Sequence, residues 1–210
     1  MPNGPRTRLD PEARRAQLVG LGLQMLSTRP LDKVAIDDIA VEAGISRGLL
    51  FHYFPTKRDF HLAVARAAAQ DLLDRTDPDH DLPPLARLRA GVEAFVDHLT
   101  GNRDAYVAFI RGSSGGDPEL LQVYESTRTA FTDRVLDGLG IEPAPPQLRT
   151  VVRGWVAFTE EVTVSWLSSG DLERDEIISL LDDALVALVT GVTGAWPLGD
   201  GDGGSRSART

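Results

Sequence analysis

The chain of 210 residues contains no cysteine. That excludes a disulfide framework, thiolate metal sites and cysteine nucleophiles, and it fits a reducing cytoplasm. Long hydrophobic runs are missing too. The N-terminal MPNGPRTRLD is polar and holds no signal-peptide core. The most apolar stretch, Ile177 to Val192, is interrupted by Asp182 and Asp183, so nothing approaches the ~20 clean apolar residues of a membrane span. No membrane partner is expected. Catalytic signatures are also lacking: there is no Walker loop, no G-x-G-x-x-G after a strand, no H-E-x-x-H and no G-x-S-x-G. GSSGGD has no following lysine and reads as a hinge or turn. The four histidines (His52, His61, His80, His98) show no metal-ligand spacing. The Asp-rich TDPDHDLPP lacks the glycine and the closing glutamate of a calcium loop. Neither an enzyme nor a bound metal or cofactor is expected.

What remains is a globular composition, with 42% hydrophobic residues, and an uneven charge. The net charge of −9 argues against nucleic-acid binding by the chain as a whole. Residues 1–60, however, hold nine Lys/Arg against seven Asp/Glu, a balance of +2, which leaves −11 for the rest. A mildly basic head on an acidic body suggests two tasks in one chain.

The pattern is helical almost throughout and predicts an all-α protein of about nine helices. Asp10 caps a first helix with Pro11 at its first position and a buried stripe of Leu18, Gly22 and Leu26, and Pro30 ends it. AIDDIAVEAG and SRGLLFHYF are two short helices, the first closed by Gly44, the second capped by Ser46 and closed by Pro55. A longer helix capped by Thr56 follows, then the linker TDPDHDLPP. LARLRAGVEAFVDHLTGN, RDAYVAFIRG, DPELLQVYESTRTAFTDRVLDGLG, LRTVVRGWVAFTEEVTVSWLSS and RDEIISLLDDALVALVTGVTGAW supply the rest, with breakers at GSSGGD and EPAPPQ. The domain reading is a flexible arm at 1–9, a three-helix head at 10–56, a larger helical body at 57–196, and a disordered tail at 197–210.

Two short helices joined by a Gly-containing turn form a helix-turn-helix. Ile39 and Ala40 face inward, Gly44 permits the turn, Ile45 packs beneath it, and Leu50 and Phe54 repeat toward the core. Arg47, Gly48, Leu49, Phe51, His52 and Tyr53 are left on or near the open face, where a second helix would enter the major groove. DDIAVEAGISRGLLFHYFPTKRDFHLAV matches, nearly position by position, the pattern of the TetR family of bacterial transcriptional repressors, and residues 10–64 resemble its DNA-binding domain. The resemblance implies DNA contacts from Ile36, Ser46, Arg47, Gly48, Leu49, Phe51, His52, Tyr53 and Lys57. Arg47 and Gly48 would approach the backbone and a base edge, Leu49 and His52 would face bases, and Tyr53 and Lys57 would hold phosphates. Four positions depart from the pattern. Ala35 replaces a capping threonine, Phe51 a tyrosine and Pro30 a glycine, and Leu49 stands where a small or hydroxylated residue is common.

The resemblance further implies double-stranded DNA with a near-palindromic operator as partner, a homodimer, and a small-molecule effector. In the last two helices the dimer face is assigned to Val152, Val156, Thr159, Thr163 and Leu167, and to Ile178, Leu185 and Val189. The alternative is a monomer whose last helices complete its own core. For an effector, Tyr106 with Phe109, the stripe of Tyr124 and Arg128, and apolar walls from Phe95, Trp155 and Phe158 are candidates. The simpler reading of Arg128 is that it reaches solvent or pairs with a nearby acid. The functional expectation is a cytoplasmic homodimeric repressor released from DNA by a small molecule. The alternative is a helix-turn-helix protein acting as an interaction module, or as an activator without an inducer.

Overall fold

The structure, a computed structural model, describes residues 10–26, 33–114 and 117–198, and their side chains except at 105 and 108–114. The expected arm, the helix end at Pro30, the side chain of Phe109 and the tail beyond Leu198 lie outside the described residues. Every regular element among the described residues is an α-helix: α1 Pro11–Leu26, α2 Ile36–Glu42, α3 Arg47–Tyr53, α4 Lys57–Arg75, α5 Pro84–Ser114, α6 Pro118–Leu139, α7 Pro146–Ser169 and α8 Arg174–Thr193. There are eight of these rather than nine. The sequence break at Gly101–Asn102 is a kink, not an end: Asn102 alone leaves helical geometry (φ −133°, ψ 20°), and its side-chain amide donates to the His98 carbonyl at 2.9 Å. Helix α5 runs on to Ser114, so the first residues of GSSGGD are helical. No helix among the described residues is long and apolar enough to cross a membrane.

Short-range chemistry sets the boundaries. Ala13 N–H donates to Asp10 Oδ1 at 2.7 Å, starting α1, and Pro145 precedes α7 with Pro146 at its first position. Helix α8 opens with a capping box in which Glu173 accepts from the backbone of Glu176, whose side chain accepts from the Glu173 N–H at 2.8 Å. Helices α7 and α8 end at Gly170 and Gly194, both with positive φ.

The chain forms two compact units, Met1–Gln70 with Asp104–Val123, and Asp71–Arg103 with Tyr124–Thr210. The first unit divides from the second inside α4, because Phe60, Val64 and Ala65 of that helix belong to the core built by Leu18, Ile39, Leu50 and Phe54. Leu120 of α6 packs on the same core. Arg58 grips Asp117 with two hydrogen bonds of 2.6 Å and reaches Glu119 at 2.7 Å. Chiefly through those bonds, the Asp117 carboxyl is held down to about 2.

The second unit is centred on α7 and α8. Val152, Trp155 and Val156 interlock with Ile177, Ile178, Leu181, Leu185 and Val189, while Val92, Val96, Val135 and Leu136 close the core. Trp155 Nε1 donates to the Leu181 carbonyl at 2.9 Å, so the indole is buried with its polar edge satisfied. Leu198, read from sequence as tail, also packs against this core.

Candidate nucleic-acid interface and cavity

The turn between α2 and α3 depends on Gly44, whose φ of +63° is costly for any residue with a Cβ. Ser46 then caps α3, its Oγ accepting from Leu49 N–H at 3.2 Å. Leu50 and Phe54 are buried beneath α3, which fixes its outward face. Arg47, Gly48, Leu49 and His52 lie on that face and are exposed, Leu49 by 40%. Phe51 and Tyr53 are half-buried and pack against the unit's core, so only part of each ring is open to solvent. Arg47 pairs with Asp37 at 3.2 Å across the turn and lies over the Phe51 ring at 5.5 Å. His52 and Tyr53 meet edge to face at 5.5 Å.

Lys57 is exposed at the first turn of α4, whose start is set by reciprocal bonds between Thr56 and Asp59. Ile36 requires a correction. It is 6% exposed within the core, so its side chain is structural, and only its backbone at the start of α2 is left to offer. Ala35 gives that helix no side-chain cap.

In the second unit a cavity of about 360 Å³ opens among α5, α6 and α7 and the 76–80 linker. Its apolar wall includes Leu88, Val92, Phe95, Phe131 and Trp155, with Phe95 and Phe131 edge to face at 5.9 Å. Thr159 and Glu160 contribute polar lining. Of the expected effector residues whose side chains are described, only Phe95 and Trp155 are in the lining. Tyr106 lies in the other compact unit, and Phe158 is 38% exposed.

Tyr124 and Arg128 stand behind Glu160 instead. The tyrosine hydroxyl donates to Glu160 Oε2 at 2.9 Å and the guanidinium at 3.0 Å. Burial foremost, and then the neighbouring carboxylate, push the Tyr124 hydroxyl up to about 12. Arg128 is thus paired with an acid, as the simpler reading had it. Sequence reasoning named no residue as that acid and so missed Glu160. The available signal was a charged residue on an otherwise buried helical stripe.

The dimer face read from sequence also needs correcting. Val152, Val156, Thr159, Thr163, Ile178, Leu185 and Val189 are buried within one chain, and Leu167 is half-buried. These residues join α7 to its own chain's core. The large apolar residues left exposed on these helices are Phe158 on α7 and, on α8, Leu180, Val186, Leu188 and Val192, by 44, 36, 41 and 39% on α8.

Comparison with known proteins bears on both units. Residues 19–64 match the model described as bacterial regulatory proteins, tetR family, and residues 84–188 match the tetracyclin repressor-like C-terminal domain. The chain is 32% identical to a TetR-family transcriptional regulator from Streptomyces coelicolor of known structure, with a TM-score of 0.79 over 89% of this chain and 86% of that one. It is 27% identical to the HTH-type transcriptional activator FasR of Mycolicibacterium smegmatis over 81% of this chain and 80% of the relative. With the HTH-type transcriptional regulator EthR of Mycobacterium tuberculosis it shares 28% identity over 70% of this chain and 71% of the relative.

Proposed function

This chain belongs to the TetR family of DNA-binding transcriptional regulators, which are not enzymes, and from that premise we propose that it is a cytoplasmic homodimeric repressor, released from a near-palindromic operator by a small molecule. The observation that carries the reading is the outer face of α3. Arg47, Leu49 and His52 stand exposed on a helix whose opposite side, Leu50 with Phe54, is fully buried. A helix held so firmly from behind can enter a major groove without losing its support.

DNA binding is assigned to residues 10–56, and effector binding and dimerisation to 57–196. Phosphate contact falls to Lys57 and the Tyr53 hydroxyl, base contact to Arg47, Leu49 and His52. Dimerisation falls to the exposed stripe of α8, where Leu180, Leu188 and Val192 recur at i, i+8 and i+12, together with Phe158 of α7. Two such pairs of helices, related by a two-fold axis, form a four-helix interface. The cavity is the effector site, and the ligand acts by favouring the dimer conformation that does not fit the groove spacing.

Selection of bound duplexes from a random pool, at one fixed near-physiological salt, tests the reading. The expected product is one near-palindrome with half-sites about 34 Å apart or a multiple of that. No enrichment would move the interaction-module reading to the front. Lys57→Ala should weaken all duplexes alike and lower the salt slope by about 1, whereas His52→Ala should change base preference. A second reading, activation, is favoured by the name of the FasR relative. A promoter–reporter fusion carrying the selected site gives the sign directly.

A further inference from the structure

We propose that Asp37 of α2 positions Arg47, and that the arginine so held reads a guanine in each half of the operator; the inference rests on the reading of α3 as the groove helix. Arg47 is the first residue of α3 and the one arginine of RGLLFHY. In a groove helix the N-terminal residues are the ones that meet base edges. A long side chain at such a place ordinarily sweeps through many rotamers, and contact with a base then costs the entropy of stopping it. Here it is tethered twice. Nη1 donates to Asp37 Oδ2 at 3.2 Å, and the guanidinium lies over the Phe51 ring at 5.5 Å. Both tethers are anchored at their far ends. Asp37 stands on a helix whose Ile36, Ile39 and Ala40 are buried, and Phe51 is half-buried against the same core. The ion pair does little for folding, because its side chains are 64 and 63% exposed. What it fixes is direction. The first helix of a helix-turn-helix crosses the DNA backbone, where a carboxylate repels phosphates. Pairing with Arg47 offsets that charge and turns Asp37 from an obstacle into a guide.

The tether also implies a base. With Nη1 given to Asp37, Arg47 keeps Nε–H and Nη2–H, which make no hydrogen bond among the described residues. These are two parallel donors on one edge of the guanidinium. Guanine is the base that shows two neighbouring acceptors, O6 and N7, to the major groove. Adenine sets a donor beside its acceptor, thymine offers a single acceptor beside a methyl group, and cytosine offers a donor. The free edge of Arg47 therefore fits guanine and mismatches the other three. A phosphate would accept the same edge, but a phosphate contact carries no sequence preference, and that difference decides the test.

The test uses the full-length protein and the duplex that it selects from a random pool, at one fixed near-physiological salt. Each guanine of a half-site is replaced in turn by adenine, or by 7-deazaguanine, which lacks the N7 acceptor. At one guanine, adenine should weaken binding about tenfold to hundredfold, and 7-deazaguanine by less. Arg47→Ala should remove the discrimination at that position. Asp37→Ala should reduce it about two- to tenfold, the effect of having to order one long side chain anew, and should leave the other positions unchanged. Asp37→Asn keeps an acceptor oxygen for Nη1 and loses only the charge, so it should keep the discrimination and tighten every duplex alike. Thermal unfolding of the three variants should stay near that of the parent protein, as an exposed pair requires. If Asp37→Ala and Asp37→Asn both tighten every duplex and neither changes the preference, Asp37 acts only as a charge and the positioning role is overturned. If Arg47→Ala weakens all duplexes alike and no position loses its preference, Arg47 holds a phosphate; the guanine assignment is then overturned while α3 stands as the groove helix. If the pool yields no enriched sequence, the reading of α3 falls and this inference falls with it.

Discussion

Removing Arg128 should be among the most damaging single substitutions in the second unit, for a reason that lies in its partner. The Glu160 side chain is 9% exposed and that of Arg128 18%, and Arg128 meets Oε2 of Glu160 at 3.0 Å through both Nε and a terminal nitrogen. Breaking a buried pair from one side leaves an uncompensated charge and costs roughly 3–5 kcal/mol. Arg128→Met keeps most of the stem that packs along α6 and takes away only the counter-charge. For a domain of this size each kcal/mol moves the midpoint by about 2–4 °C, so a fall of roughly 6–20 °C is expected. Glu160→Gln should cost less, about 1–2 kcal/mol, because the more exposed guanidinium can turn to water while the amide still accepts from Tyr124. The double variant Arg128→Met/Glu160→Gln should then be less damaged than the sum of the two, since neither charge is left alone. Thermal and urea unfolding at one fixed protomer concentration measure all three, because the proposed dimerisation would make the midpoint concentration-dependent. A loss below about 1 kcal/mol for Arg128→Met, or strict additivity in the cycle, would sink the claim that this pair is a buried structural unit.

Three further outcomes can be stated. An added Cβ at Gly22 would lie 2.5 Å from Val64 Cγ2 and 2.9 Å from Phe60 Cζ, whereas at Gly20 it would meet nothing within 4 Å. Gly22→Ala should therefore lower stability by about 1–3 kcal/mol and Gly20→Ala raise it by about 0.5–1 kcal/mol, as urea midpoints will show. Asp182 is pushed up to about 6, by burial first, with Arg89 at 2.9 Å opposing. Between about pH 4 and 6 the folded chain thus holds a proton that the unfolded chain has lost. This group's contribution to stability therefore falls as pH rises through that window, and Asp182→Asn should flatten that part of the stability–pH curve. Phe158→Glu or Leu188→Glu, each at a position about two-fifths exposed in one chain, should yield monomers by light scattering while leaving the helical content intact.

How much of this was legible in the sequence depended on the range of the interactions. Asp10, Gly44, Ser46 and Thr56 punctuate the helices through bonds that span three or four residues, and all four act as their residue types require. The same short reach placed Leu50 and Phe54 inward and His52 outward on α3. At Gly101–Asn102 the local signal was right in place but wrong in effect. The asparagine side chain bonds back to the His98 carbonyl, so the helix bends there instead of stopping. Ile36 was misjudged for the opposite reason: at the first position of a seven-residue helix nothing local decides whether a side chain turns outward, and the core of Leu18, Ile39 and Phe60 took it.

Helices α7 and α8 show where periodicity stops being informative. Val152, Val156, Thr159 and Thr163 recur at i, i+4, i+7 and i+11, which says that the stripe is buried and does not say against what. Its partner is settled by supply. Ile178, Leu185 and Val189 of α8 pack into the same single-chain core, so this stripe is already in use before a second copy arrives. What a lone core helix does not need is a second set of large apolar residues. Phe158 on α7, and Leu180, Val186, Leu188 and Val192 on α8, are that surplus. Leaving them in water forgoes the favourable transfer that drives association. For the proposed dimer, the sequence signal for self-association lies in the number of apolar positions per turn, and not in the phase of the strongest stripe. The strongest stripe goes to the chain's own core because contacts within one chain carry no cost of lost translational freedom, and the weaker one is what the proposed dimer would use.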